Sequence, residues 1–297
     1  MKPAPFDYIS PGSFQEVLDS LHQYGSDASL LAGGQSLIAA LNFRSMQPKV
    51  LIDLNKLPEL AYVRKDDGLV RIGAMTRQHT LEKDAIIEGL LPLMFEAVPY
   101  VAHLAIRTRG TIGGSLVYAD PAAEQPTINL ALGAKFKAVS TTGERWIPAE
   151  SFFLQTNHTA LKSDEILTEV AVPVMSASTG WGFEEVARRD GDRVMMGVAA
   201  TVTLNEDGVC QDARLVYQNS APTPVLAEQA ADLLIGSQAN EDLFLEAAEV
   251  ASQGEIDPLT DVHATAAFRR NLARELTLRT LRTAFERASK REGTPHE

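Results

Sequence analysis

Cysteine is nearly absent: of 297 residues, only Cys210 carries a thiol. One thiol cannot close an internal disulfide, and it cannot supply the several thiolates of an iron-sulfur cluster or a structural zinc site. Any such cluster must belong to another chain, and Cys210 itself reads as a small apolar filler. Long apolar runs are missing as well. No stretch approaches the roughly 18 apolar residues of a membrane span, and Met1-Lys2-Pro3-Ala4-Pro5-Phe6-Asp7 lacks the apolar core of a signal peptide. The expected address is reducing and cytoplasmic. Positive charge is in deficit, with 27 Lys plus Arg against 39 Asp plus Glu and a net charge of -12. That balance repels nucleic-acid phosphates and anionic headgroups, so nucleic acid is not an expected partner.

Common chemical motifs are lacking too. There is no G-x-G-x-x-G after a strand, no Walker A loop, no G-x-S-x-G elbow and no H-E-x-x-H, so common nucleotide folds and hydrolases lose support. His22, His79, His103, His158, His263 and His296 show no metal-ligand spacing. The sequence therefore predicts no metal site and no acid-base constellation acting on an organic substrate.

What is present is an ordinary globular composition, 45% hydrophobic and 22% charged, at a length that fits two domains or one large mixed one. Ser13 and Glu16 read as a capping box before a helix whose face is Phe14, Val17, Leu18 and Leu21, ended by Gly25. Ala28 to Ala32 reads as a buried strand, Gly33-Gly34-Gln35 as a tight turn, Ser36 to Leu41 as a helix and Val50 to Asp53 as another strand. Pro58 marks the crossing into the next segment. There a strand is expected at Leu69 to Ala74, a helix capped by Thr80, and an apolar helix over Leu90 to Leu104 interrupted or started by Pro92 and Pro99. Further strands are expected at Lys135 to Ser140, Glu165 to Val172, Gly182 to Ala187, Val198 to Leu204 and Ala213 to Gln218, the last three as an antiparallel meander. Helices follow at Val225 to Leu234, Asp242 to Ala251 and His263 to Arg287, the last amphipathic. A strand-rich run closed by helices is an α+β signature. The division expected is 1–55, 56–175 and 176–297, with the main boundary near Pro173 to Gly180.

Two glycine pairs carry the chemical interest. Gly33-Gly34 and Gly113-Gly114 each precede a helix or short turn and are followed closely by a serine, and backbone without Cβ atoms can approach a pyrophosphate and offer it N–H donors. Together they could cradle one dinucleotide; singly, each reads equally as a plain turn.

Three segments extend this reading: Leu31-Ala32-Gly33-Gly34-Gln35-Ser36-Leu37; Ile106-Arg107-Thr108-Arg109-Gly110-Thr111-Ile112-Gly113-Gly114-Ser115-Leu116 with Ala119-Asp120-Pro121-Ala122; and Phe183-Glu184-Glu185-Val186-Ala187-Arg188-Arg189-Asp190-Gly191-Asp192. Together they resemble the FAD-binding medium subunit of the molybdenum hydroxylases, a group that includes the medium subunit of aerobic carbon monoxide dehydrogenase and the flavin domain of xanthine dehydrogenase. The resemblance covers nearly the whole chain. It implies two N-terminal α/β subdomains of the vanillyl-alcohol-oxidase-like FAD-binding type, and a C-terminal domain with an antiparallel sheet and helices. By motif position, Ala32, Gly33, Gly34, Gln35, Ser36 and Leu37 would hold the FAD pyrophosphate. Thr111, Ile112, Gly113, Gly114 and Ser115 would form the second FAD loop, with Asp120 close by. Leu167 falls where a leucine lies by the flavin ring. Glu124 falls where relatives often carry an Asp near the flavin's sugar or ribityl part; the longer acid can still accept a hydroxyl hydrogen bond, and a solvated helix-start acid is the other reading. After Gly191-Asp192 many relatives carry an aromatic residue and then a small one, whereas this chain has Arg193-Val194. Arg193 is expected either over the flavin in place of the ring or toward a partner chain.

The resemblance further implies a dimer of heterotrimers: a large subunit with the molybdenum cofactor, a small subunit with two [2Fe-2S] clusters, and this chain passing electrons from the clusters through FAD to an acceptor. The holoenzyme would hydroxylate a substrate carbon with oxygen from water. An N-heteroaromatic substrate such as a purine alkaloid or nicotine is expected; the medium subunit of aerobic carbon monoxide dehydrogenase, or a self-contained FAD-dependent oxidase, are the alternatives.

Overall fold

The computed structural model describes residues 2–291; His296 lies outside the described residues. Among the described residues, three larger sheets follow one another along the chain, each with its own apolar cluster, and a two-stranded ribbon, Phe153–Gln155 with His158–Thr159, accompanies the second.

The first sheet is parallel, with Val50–Asp53 in the centre between Asp7–Ile9 and Ala28–Leu31. The helix Phe14–Tyr24 buries Val17, Leu18 and Leu21 against it, each such side chain contributing about 1.5–3 kcal/mol. Ser13 caps this helix by accepting from the Glu16 N–H at 3.3 Å. The Glu16 carboxylate reaches one residue further back than a capping box does, and accepts from the Gly12 N–H at 2.7 Å.

The second sheet is antiparallel, in the order Val63–Asp66, Leu69–Gly73, Ile166–Pro173, Lys135–Ser140, Gly143–Pro148. The expected long helix over Leu90 to Leu104 is instead Ala85–Leu90, Pro92–Ala97, a 3-10 turn at Val98–Tyr100 and Leu104–Arg107. Pro92 and Pro99 have no N–H to donate backwards, and Ala102 turns at φ +43°. Thr80 is not a cap: it lies inside the helix Gln78–Leu81, which Arg77 precedes. The next helix, Glu124–Ala131, is buried along its whole length despite Gln125, Thr127 and Asn129. It is a joint, touching the second core on one side and the C-terminal sheet on the other.

That third sheet is the expected antiparallel meander, Thr179–Val186, Met196–Leu204 and Cys210–Gln218. Val225–Leu226, expected as helix, instead pairs as a short edge strand, and the helix begins at Glu228. Glu241–Val250 and the long helix Ala266–Arg291 complete the domain. The long helix starts three residues later than expected and lies on its own sheet so closely that a Cβ on Gly180 would stand 1.9 Å from the Ala284 carbonyl oxygen. Its apolar face is therefore covered within the chain. Cys210 is fully buried, its thiol pushed up to about 11 by burial, as an apolar filler would be. No helix among the described residues is long and apolar enough to cross a membrane.

Candidate functional site

A cleft of about 580 Å³ runs between the first two sheets and under the loop Gly191–Arg193 of the C-terminal domain. The strand Ala28–Leu31 delivers the chain to its rim, where Ala32–Ser36 turn into the helix Leu37–Phe43. Gly34 takes φ +75°, which a side chain would strain. Among the described residues, the backbone N–H groups of Gly33, Gly34, Gln35 and Ser36 make no hydrogen bond. A row of such donors on a cleft wall calls for an anionic or acceptor-rich ligand.

The second glycine loop is built differently. Thr111 Oγ1 accepts from the Gly114 N–H at 3.0 Å, and the N–H groups of Ile112 and Gly113 donate to the carbonyls of Thr76 and Ala74 at 3.0 and 2.9 Å. Its donors are already occupied. Gly113 is needed for contact: a Cβ there would stand 2.6 Å from that of Ala74. Gly114 and Ser115 remain on the cleft wall, whereas the Ile112 side chain points into the second core with Leu116, one helical turn on. Of the five residues expected to form the second loop, Ile112 thus has its side chain turned inward by the helix that Thr111 opens.

The two loops touch and are tied. A Cβ on Gly33 would stand 2.3 Å from the Arg109 carbonyl oxygen. Arg77 donates from Nη1 to that same carbonyl and from Nη2 to Asn55 Oδ1 at 2.6 Å, and Asn55 Nδ2 donates to the Ala32 carbonyl at 2.9 Å. Asp53 holds Asn55 in turn, accepting from its N–H at 2.9 Å, and receives the Tyr8 hydroxyl. Arg77 and Asn55 were not expected here; the only signal in the sequence was an Asx-type turn, Asp53-Leu54-Asn55, directly after a strand.

Residues 4–175 match the family described as the FAD binding domain in molybdopterin dehydrogenase, and residues 181–284 the carbon monoxide dehydrogenase flavoprotein C-terminal domain. The chain belongs to the FAD-binding medium subunits of the molybdenum hydroxylases. It is 41% identical, over 97% of both chains, to the 6-hydroxypseudooxynicotine dehydrogenase complex subunit alpha of Paenarthrobacter nicotinovorans. It is 39% identical, again over 97% of both, to the caffeine dehydrogenase subunit beta of Pseudomonas sp. strain CBB1. A carbon monoxide dehydrogenase from Hydrogenophaga pseudoflava, solved without the Mo-pyranopterin moiety of the molybdenum cofactor, superposes with a TM-score of 0.94 at 36% identity, covering 97% of this chain and 99% of that one. This medium subunit is thus part of an oxidoreductase with an FAD-binding domain.

The cleft fits the cofactor this family takes: free N–H donors at Gly33 to Ser36, glycine backbone at Gly114, and apolar wall at Leu37 and Leu167. Leu167 sits at a register shift in the strand Ile166–Pro173, between the pairs Leu167–Ala138 and Glu169–Lys137; such bulges re-aim side chains. Ala32, Asp120, Glu124 and Arg193 also line the cleft. The Arg193 guanidinium is held there by Asp120. Glu124 is not a solvated acid. It is 7% exposed, and burial, with Asp120 adding to it, pushes its carboxyl up to about 7. Burial and the nearby Glu124 raise Glu185 as well. Among the described residues no group of three or more His, Cys, Asp or Glu is placed to hold a metal.

Proposed function

We propose that this medium subunit holds FAD in the cleft, with the pyrophosphate on the N–H groups of Gly33, Gly34, Gln35 and Ser36, and that it is the point where electrons leave the complex. The four unpaired donors at a two-glycine turn carry this reading. Ser115 and Thr111 line the same cleft beside them, Leu167 and Leu37 give apolar wall, and the Arg77–Asn55 tie keeps both loops at one spacing. When bound, FAD supplies stepwise acceptance and release of electrons, and the protein supplies position and electrostatics. A single buried cysteine leaves the two [2Fe-2S] clusters to a small subunit and the molybdenum cofactor to a large one, in a cytoplasmic dimer of heterotrimers. The holoenzyme reaction in this reading is hydroxylation of an N-heteroaromatic compound with water-derived oxygen. Support for that substrate class comes from the relatives named for 6-hydroxypseudooxynicotine and caffeine, which are 41% and 39% identical, against 36% for the carbon monoxide dehydrogenase chain.

The test is to isolate the chain from its native host under gentle conditions, identify each co-purifying subunit, and assay FAD, iron and molybdenum per complex. FAD together with a cysteine-rich chain and a molybdenum-bearing chain is the expected result. A lone flavin-bearing chain that turns over by itself would favour a self-contained oxidase, and a flavin-free complex would overturn the assignment.

A further inference from the structure

Beside the Arg77–Asn55 tie lies a second, smaller cavity of about 190 Å³, walled by the buried side chains of Leu54, Leu57 and Met75, with exposed Ala61 at its rim. Leu54 and Met75 also line the larger cleft, so the two spaces share a wall. Tyr62 adds apolar lining, because its hydroxyl is donated to Glu169. An apolar cavity of about 150 Å³ is enough to take benzene, so this one has room for a single ring carrying a small polar group.

Arg77, on the same wall, is a half-buried cation with no carboxylate against it. Two of its five N–H groups are spent, on the Arg109 carbonyl and on Asn55 Oδ1, and the others have no hydrogen-bond partner among the described residues. Burial holds its guanidinium below the usual arginine range, and the Arg109 charge pushes the same way. Asp53 attracts it from beyond contact, but that carboxylate is engaged by Asn55 and by the Tyr8 hydroxyl. Asp84, the acid on the cavity wall, is spent as a helix cap, accepting from the N–H groups of Ile86 and Ile87 at 2.9 and 3.2 Å. A guanidinium with donors left over, part-way out of water and near a second cation, calls for an anion.

We infer that this cavity is a binding site for a small organic monocarboxylate with one flat apolar ring, its carboxylate on the free edge of Arg77 and its ring against Leu54, Leu57 and Met75. The lining selects among anions. A carboxylate matches the planar guanidinium fork, whereas a phosphate or sulfate has no apolar surface to set against the leucines, and a second negative charge would meet Asp84. Occupancy reaches the glycine loops as well, a consequence that rests on the FAD reading of the cleft. The Arg77 backbone pairs with Thr111, and its side chain holds Arg109 and Asn55, which in turn holds the Ala32 carbonyl. An anion on the free edge offsets the repulsion from Arg109 and fixes the guanidinium in the tie, so this ligand and FAD each favour the other's binding.

The test uses the full chain stripped of FAD, titrated by calorimetry with benzoate and with benzamide as its uncharged match. One benzoate per chain is expected, with a Kd of about 0.1–1 mM, and benzamide at least about tenfold weaker. Ala61→Trp fills the rim without touching Arg77 or Asn55 and should abolish binding. Arg77→Lys keeps the charge but loses the fork, and should weaken benzoate about tenfold; where that change unsettles the loops, Ala61→Trp still decides. FAD is then titrated with and without saturating benzoate, and its Kd should fall about fivefold, an effect missing from Ala61→Trp. No saturable binding, binding indifferent to Ala61→Trp, or benzoate that leaves FAD affinity unchanged or competes with FAD overturns the proposal. Failure of the chain to take up FAD at all would instead sink the cofactor reading, and the benzoate titrations of the FAD-free chain would still decide the site.

Discussion

Arg193 grips Asp120 through two parallel hydrogen bonds, Nη1 to Oδ2 at 2.8 Å and Nη2 to Oδ1 at 2.9 Å, across the mouth of the cleft. Asp120 belongs to the loop after the second glycine turn and also accepts from the Ala122 N–H at 2.9 Å. Arg193 belongs to the C-terminal domain, so one forked contact joins the two halves of the wall. In place of an aromatic ring that would stack, this chain has a cation that bridges.

The bridge should be measurable by a double-mutant cycle. Both partners are partly exposed, 42% and 26% at the side chain, so solvent screening limits the pair despite its favourable geometry. Arg193→Ala, Asp120→Ala and the double variant should give a coupling of about 0.5–1.5 kcal/mol by urea denaturation, shrinking at high salt. Zero coupling would mean that the fork contributes nothing in solution.

Gly33→Ala should damage the site through sterics alone. Its Cβ would stand 2.3 Å from the Arg109 carbonyl oxygen and 2.8 Å from Gly110 Cα, both backbone atoms that cannot rotate away. Forcing the loops apart should cost about 1–3 kcal/mol in chemical denaturation, and FAD should be lost on gel filtration. Gly89→Ala is the contrast: this exposed helix position meets nothing within 4 Å. That change should stabilise by about 0.5–1 kcal/mol.

The difference between those two glycines explains how much was legible in the sequence. Gly33-Gly34 and Gly113-Gly114 announced themselves as special turns, and Val198 to Leu204 and Ala213 to Gln218 as meander strands, because local pattern carries such features. Pattern did not reveal that the second loop's N–H groups are engaged with Ala74 and Thr76, since that pairing is between residues about 40 positions apart. Nor did it reveal Arg77, whose value lies in reaching Arg109 and Asn55 at once. Val225–Leu226 was misread because two residues of edge strand are dictated by their partner, Val216–Tyr217, and not by their own sequence. Nor does the local pattern of Glu184-Glu185 show that the fold seals the Glu185 Oε2 from solvent.

Asn55→Ala tests the tie behind the first loop. It removes the donor to the Ala32 carbonyl and the acceptor for Arg77 while leaving the cleft lining itself intact. Losing two hydrogen bonds that fix the loop should cost about 1–2 kcal/mol of FAD binding, a rise in Kd of roughly five- to thirtyfold. Riboflavin, which lacks the pyrophosphate, should bind wild-type and variant chains alike. Equal losses for both ligands would show that Asn55 supports the cleft in general and not the pyrophosphate turn.

The stability of the chain free of FAD should fall as pH rises through neutrality, and the sign follows from the two buried acids. Burial raises Glu124, to about 7, and Glu185 above the usual carboxylate range, so the folded state keeps protons that the unfolded chain has already released. Wherever the folded state binds more protons, stability decreases with pH. Their contribution is fully present below the unfolded carboxylate titration and is lost as pH climbs through the folded values. The slope can reach at most about 1.4 kcal/mol per pH unit for each group. Urea midpoints taken from pH 5 to pH 9 should therefore decline in the wild-type chain. Glu124→Gln should flatten the lower part of that decline, and Glu185→Gln the upper part. Asp261, held down to about 2 by its bond from Arg269 and two backbone N–H groups, acts in the opposite sense: its contribution is lost only as pH falls below the usual aspartate range. It cannot mask the effect, because it is already ionised throughout the window. A wild-type midpoint that stays level from pH 5 to pH 9 would mean that the two acids ionise as freely in the folded chain as in the unfolded one.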